Sequence, residues 1–218
     1  MDSCIIAGKC GAGKTTFLNS LLVRLIQETN PNDISIHYHD CKGIESKLWS
    51  DNIPDGKCIP QFYCIEQYNG YGNKGRNFAH LTVMLSNLYQ EVQRRLEVCK
   101  EQGVEQYLSL DSIGNSILFI IDEYQLYVQE ECKNDGWFEH VVRFITENSI
   151  KTGVYLMLCS QYDCSVSEEL VKEFPIKIVT PCSEEISNLF IGNNAAYMDV
   201  AKYGVVWVRN GSDYPTRL

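Results

Sequence analysis

Gly8-Lys9-Cys10-Gly11-Ala12-Gly13-Lys14-Thr15 fits the phosphate-loop pattern G-x-x-x-x-G-K-[ST] at every fixed position, and no other stretch constrains the fold as tightly. Cys4-Ile5-Ile6-Ala7 ahead of it reads as a short buried strand. Behind it, Phe17, Leu18, Leu21, Leu22, Leu25 and Ile26 recur at helical spacing. A strand must therefore turn through glycines into a helix. Glycine lets backbone N–H groups close on an anion without a side chain in the way. The helix start adds unsatisfied N–H groups and the positive end of its dipole. Lys14 is placed to reach the β- and γ-phosphates, and Thr15 to offer a hydroxyl to magnesium. The expected nucleotide-contacting set is Gly8, Lys9, Cys10, Gly11, Ala12, Gly13, Lys14, Thr15 and Thr16. The competing reading is a glycine-rich turn that binds nothing, which has no need of Lys-Thr just inside the helix.

Ile117-Leu118-Phe119-Ile120-Ile121 is an apolar run of the kind buried in parallel sheets, and Asp122-Glu123 follows it directly. An acidic pair at the tip of such a strand suits the second half of an ATPase site. Asp122 would hold magnesium and Glu123 would polarise the attacking water. Alone, the pair reads equally well as a cap on the positive end of a following helix. Gly153–Cys159 is another apolar strand and ends in Ser160-Gln161, where the amide of Gln161 can hydrogen-bond a γ-phosphate or a water. Further strands are expected at 34–39, 62–65, 176–179 and 205–208. Helices are expected from Asn77 to Gly103, around Trp137–Ile145, at 168–173 and from Ser183. Strands alternating with helices predict an α/β fold, a mostly parallel sheet covered on both faces. Ligands in such sheets bind beyond the carboxyl ends of the strands, so Gly8, Asp122 and Gln161 belong to one crevice.

The length of 218 residues suits a single domain over 1–218, and 44% apolar residues suffice for one core. No apolar run approaches the ~20 residues that cross a bilayer, and Met1-Asp2-Ser3 lacks the basic start of a signal peptide. A cytoplasmic domain is expected. The first strand begins so early that the chain reads as one module of a longer polypeptide. Ten cysteines are scattered without a C-x-x-C pair and read as reduced thiols. His37-x-His39-x-Cys41 alternates like one strand face, but three ligands without a fourth make a poor zinc site. A net charge of −9 excludes a chain coated in positive charge, so contact with nucleic acid would need a local patch. Tyr68–Arg76 mixes glycine, aromatics and two basic residues; it reads as a surface loop first and a nucleic-acid contact second.

The order of motifs resembles the motor domain of the FtsK/SpoIIIE–HerA class of ATPases, which has a RecA-like core. The likeness runs through Ile5-Ile6-Ala7-Gly8, Asp40-x-Lys42-Gly43-x-Glu45 and Arg94-Arg95 ahead of Gly103-Val104. It continues with Ile120-Ile121-Asp122-Glu123-Tyr124, Gly153–Leu156 through Ser160-Gln161, and Pro215-Thr216-Arg217. It implies a P-loop ATPase using ATP and Mg2+, with Lys14, Glu123 and Gln161 catalytic and Thr15 and Asp122 at the magnesium. It also implies a homo-oligomeric, hexameric ring whose neighbour donates a cation in trans. Arg143, Arg94, Arg95 and Lys177 are the candidates, each also readable as a solvated surface charge. The implied cargo is duplex DNA, or a secreted protein in a type VII secretion motor, and the resemblance also implies a membrane-anchored parent chain. Tyr162-Asp163 stands where the class usually has arginine-proline, and Lys177 where DNA-translocating relatives often carry arginine. A nucleotide-binding module that regulates assembly without turnover is the third reading.

Overall fold

The computed structural model describes residues 1–42, 49, 62–65, 78–110, 115–131, 136–161, 167–199 and 204–218. Tyr68–Arg76, Gly43, Glu45, Tyr162 and Asp163 lie outside the described residues.

The loop-bearing strand β1 (Cys4–Gly8) is buried along its whole length and pairs on both sides, as its unbroken apolar run requires. Helix α1 (Lys14–Glu28) follows, then β2 (Ile34–Asp40), β3 (Phe62–Ile65) and the long helix α2 (Ala79–Gln102). The acidic strand β4 (Ser116–Asp122) leads into α3 (Tyr124–Glu131), α4 (Trp137–Glu147) and the single turn α5 (Ser149–Thr152). Strand β5 (Val154–Gln161), α6 (Glu168–Glu173), β6 (Ile176–Val179), α7 (Glu184–Ile191) and α8 (Ala195–Met198) come next. The hairpin β7 (Trp207–Asn210) and β8 (Thr216–Arg217) completes the order.

The sheet runs β3-β2-β4-β5-β1-β6-β7-β8. Its strands from β3 to β6 are parallel, and β7 and β8 are antiparallel. This is the α/β architecture expected, and its antiparallel margin is an addition to it. Side chains alternate between two cores. One face carries Ile6, Ile36, Tyr38, Leu118 and Ile120 against Leu18 and Leu22 of α1. The other carries Ile5, Phe119, Ile121, Leu156 and Leu158 against α2, α3, α4, α6 and α7. The stripe Leu81, Leu85, Leu88, Val92 and Cys99 is buried as its spacing predicts.

Arg95 departs from expectation. Placed by its sequence on or beside the solvent side of α2, it is instead 3% exposed. Its guanidinium donates to Glu91 Oε1 (2.7 Å), the Thr152 carbonyl (2.9 Å) and the Asn115 carbonyl (3.1 Å). It also lies 4.6 Å from the centre of the Tyr107 ring. Those carbonyls immediately precede β5 and β4, so Arg95 ties α2 to the amino ends of both strands.

The histidine–cysteine alternation is structural too. His37 stacks at 6.2 Å from Phe119, Cys41 is buried in the core, and His39 is buried with its pKa lowered to about 4, by desolvation first and His80 second. The described cysteines, among them buried Cys4 and Cys159 and exposed Cys10, are free thiols.

Candidate active site

Parallel register sets the tips of four neighbouring strands side by side. Gly8 pairs with Gln161 between β1 and β5, Asp122 with Cys159 between β4 and β5, and Asp40 with Asp122 between β2 and β4. The strand tips expected to meet are therefore adjacent at the carboxyl edge of the sheet, where such folds bind ligands.

At its floor, Gly8 comes so close to β6 that a methyl group there would lie 1.8 Å from Thr180 Oγ1. Only glycine fits. Gly13, the residue before α1, has a left-handed backbone (φ 92°), which glycine adopts without penalty. Helix α1 starts with no side-chain cap and no acidic residue in its first turn, which leaves its positive end to an anion. Lys14 folds back over the loop and donates to the Gly8 carbonyl (2.8 Å) and the Lys9 carbonyl (3.1 Å). Burial lowers its pKa, opposed by Glu123 and Asp122 nearby. Lys9, Cys10 and Gly11 form the exposed crest, Ala12 is buried, Thr15 is half-buried and Thr16 is exposed.

A cleft of about 710 Å³ opens over this loop. Thr16 and Ser20 of α1, Gln161, Thr180, Val205 and Val206 are among the residues that line it. The valine pair is fastened by reciprocal backbone bonds between Val206 and Leu218 (2.8 and 3.3 Å). Expected as part of the last strand, Val205 and Val206 instead precede β7 and face the cleft. The lining thus combines the Lys14 charge and loop residues with apolar Val205 and Val206.

The acidic side is densely packed. Asp122 is 6% exposed and accepts from the Tyr38 hydroxyl (3.2 Å). Burial raises its pKa to about 7, helped by the neighbouring charges of Glu123 and Asp40. Glu123 is the described non-glycine residue with positive φ (56°), a sparsely populated conformation that costs on the order of 1 kcal/mol or more. Its carboxylate is 4% exposed and receives Lys42 Nζ (2.7 Å) and Gln161 Nε2 (2.5 Å) on Oε1. The other oxygen receives Gln125 Nε2 and the Gln161 backbone N–H. Lys14, Asp122, Glu123 and Gln161 are thus one constellation. Lys42, Gln125, Tyr38 and Asp40 join it without having been assigned roles from sequence. The only available signal was the string Asp40-x-Lys42 at the end of β2.

For a divalent cation the donor set is hard oxygen: the Thr15 hydroxyl and the Asp122 carboxylate, to be completed by phosphate oxygens and water as magnesium prefers. The raised pKa of Asp122 marks a buried negative cluster that such a cation would relieve, so the residues fit the group.

The four candidate trans cations lie elsewhere. Arg94 pairs with Glu91 (2.7 Å) and the Tyr107 hydroxyl (2.9 Å), and Arg143, half exposed, pairs with Glu173 (3.1 Å). Lys177 donates to the Phe174 carbonyl (2.6 Å), and burial lowers its pKa. Arg95 is enclosed as described and presents no charge to a neighbouring molecule.

Residues 1–55 match the model of the FtsK/SpoIIIE family. The resemblance to the FtsK/SpoIIIE class of ATPases holds. DNA translocase SftA of Bacillus subtilis (strain 168) is 24% identical over 237 residues, spanning 100% of this chain and 22% of SftA. The chain therefore covers less than a quarter of that relative. Among solved structures, the pCW3 conjugation coupling protein TcpA, in its monomer form with ATPgS, superposes with a TM-score of 0.76 at 18% identity. That match covers 100% of this chain and 59% of TcpA. The cytoplasmic domain of the type VII secretion ATPase EccC of Thermomonospora curvata gives 0.72 at 16% identity, over 99% of this chain and 25% of EccC. The fold of this FtsK/SpoIIIE-like domain is accordingly the one these solved ATPase domains share. Among the described residues no helix is long and apolar enough to cross a membrane.

Proposed function

We infer that this domain hydrolyses ATP as one unit of a ring and uses the energy to move duplex DNA. The observation that carries the reading is the meeting of Lys14, Asp122, Glu123 and Gln161 at the tips of adjacent parallel strands. Lys14 exchanges the loop carbonyls for the β- and γ-phosphates and neutralises charge there. Magnesium, when bound, adds further charge stabilisation, held by Thr15 and Asp122. Glu123 takes a proton from the attacking water as the new phosphorus–oxygen bond forms; the bond to the bridging oxygen breaks and ADP leaves. Gln161 orients that water. The missing cation comes from a neighbouring subunit, for which Arg143 and Arg94 have the exposure required.

DNA as cargo is supported by the likeness over the whole chain to a protein named a DNA translocase. A protein cargo, in a secretion motor, is favoured instead by the structural likeness to EccC and by the net charge of −9. The test is phosphate release against protein concentration, with and without duplex DNA. Specific activity that rises with concentration, is stimulated by DNA and weakens steeply with salt supports the reading. Lys14→Ala abolishes turnover and Glu123→Gln traps ATP. Unchanged hydrolysis in either variant refutes the site, and nucleotide binding without phosphate release favours a regulatory module. Activity indifferent to DNA but raised by a secreted peptide favours the secretion motor.

A further inference from the structure

A carboxylate has room for about four hydrogen bonds on its two oxygens. Glu123 receives four, from Lys42 Nζ, Gln161 Nε2, Gln161 N–H and Gln125 Nε2. With every lone-pair direction taken and the side chain 4% exposed, no position is left from which this oxygen pair can accept a proton from water. The geometry is that of a base held at rest. One donor must leave before Glu123 can act.

The donors are not equivalent. Gln125 is two residues away on the same turn and buried, and the Gln161 N–H belongs to a strand paired on both sides. Lys42 is the charged donor, lies beyond the end of β2, and keeps 31% of its side chain exposed. Its own backbone is anchored by the Lys42 N–H to Asp40 Oδ1 (2.8 Å), so the side chain can swing while the main chain stays. Lys42, Lys14, Glu123 and Asp122 also act on one another electrostatically. A triphosphate arriving at the loop therefore enters the same charge cluster as the Lys42 ammonium.

We propose that Lys42 is a positioning residue that restrains Glu123 in the nucleotide-free domain and releases it when a γ-phosphate draws its ammonium away. This rests on the ATPase reading above and specifies how that same site is kept silent. A nucleoside diphosphate lacks the group that competes for Lys42, so Glu123 stays restrained after phosphate leaves.

The experiment is steady-state hydrolysis of Mg-ATP by the complete chain, comparing the parent with Lys42→Met and Lys42→Arg, with affinity for a fluorescent ADP analogue measured separately. Losing a charge-assisted hydrogen bond corresponds to roughly a tenfold effect. Because Lys42 in the ATP-bound parent still divides its time between Glu123 and the γ-phosphate, Lys42→Met, which has no restrained form, is expected to raise kcat by about fivefold to tenfold with KM and ADP affinity within about twofold. Lys42→Arg, which keeps charge and donors, is expected to stay near the parent. A structural role alone would lower stability without raising kcat. An unchanged or lowered kcat in Lys42→Met overturns the proposal, a lowered one marking Lys42 as a cation of the reaction itself. Persistence of parental turnover in Lys14→Ala and Glu123→Gln would instead remove the ATPase assignment, so the two failures are distinct.

Discussion

Replacing Arg95 by methionine separates a structural arginine from a catalytic one. The substitution keeps the bulk of the stem and deletes three contacts: to Glu91, to the Thr152 carbonyl and to the Asn115 carbonyl. The Glu91 pair is discounted, because that carboxylate is 27% exposed and water takes over the bond. The two carbonyls weigh more, since orphaning a buried acceptor costs about 1–3 kcal/mol. Adding a modest loss from the ring face of Tyr107, the sum is roughly 3 kcal/mol, at about 2–4 °C per kcal/mol for a domain of this size. Arg95→Met should therefore melt roughly 6–12 °C lower. Arg95→Lys, with charge but no planar fork, should fall between it and the parent. Urea unfolding followed by circular dichroism gives the stability, and phosphate release per folded molecule gives the activity. A loss below about 1 kcal/mol together with abolished turnover would refute the structural role and return Arg95 to the trans cations.

Gly8→Ala should destabilise by about 1–3 kcal/mol through overpacking, and the added Thr180→Ala, which removes the oxygen lying 1.8 Å from the new methyl, should recover much of it; additive losses in a double-mutant cycle by urea unfolding would contradict the close approach. Asp122 has a folded-state pKa raised from 3.8 to about 7, so the folded protein holds its proton longer than the unfolded chain does. Its contribution to stability is full below about 3.8 and is lost as pH rises towards 7. Asp122→Asn should flatten that decline in nucleotide-free protein and be the more stable form above pH 7, read from unfolding midpoints in a pH series; parallel curves would argue against the buried acidic cluster.

The loop and the acidic strand were legible because each packs a fixed backbone path and its chemistry into a few consecutive residues. Helix α2 and its Gly103 end were equally plain, a long stripe being hard to mistake. Less local features were hidden. Lys42 meets Glu123 across 81 positions of sequence, and no spacing rule reports such a contact. Arg95 carries the signature of surface charge, and its burial follows from where two carbonyls happen to lie. Val205-Val206 has strand composition, yet pairs only as far as Leu218 allows and lines the cleft. The hairpin partner Thr216–Arg217 is two residues long, too short for alternation to register.

Strand β5 lies between the loop-bearing strand and the acidic one, bonded to each along its length. Its last residue, Gln161, pairs with Gly8 and gives its N–H to Glu123, so its main chain cannot shift without disturbing both the glycine loop and the acidic pair. The frame around the loop is thus held on both sides by paired strands, and the side-chain tips are what is left to register what is bound there. On the ATPase reading proposed above, news of the chemistry leaves this domain as a change of grip between amide, carboxylate and ammonium, with the sheet itself serving as the anvil.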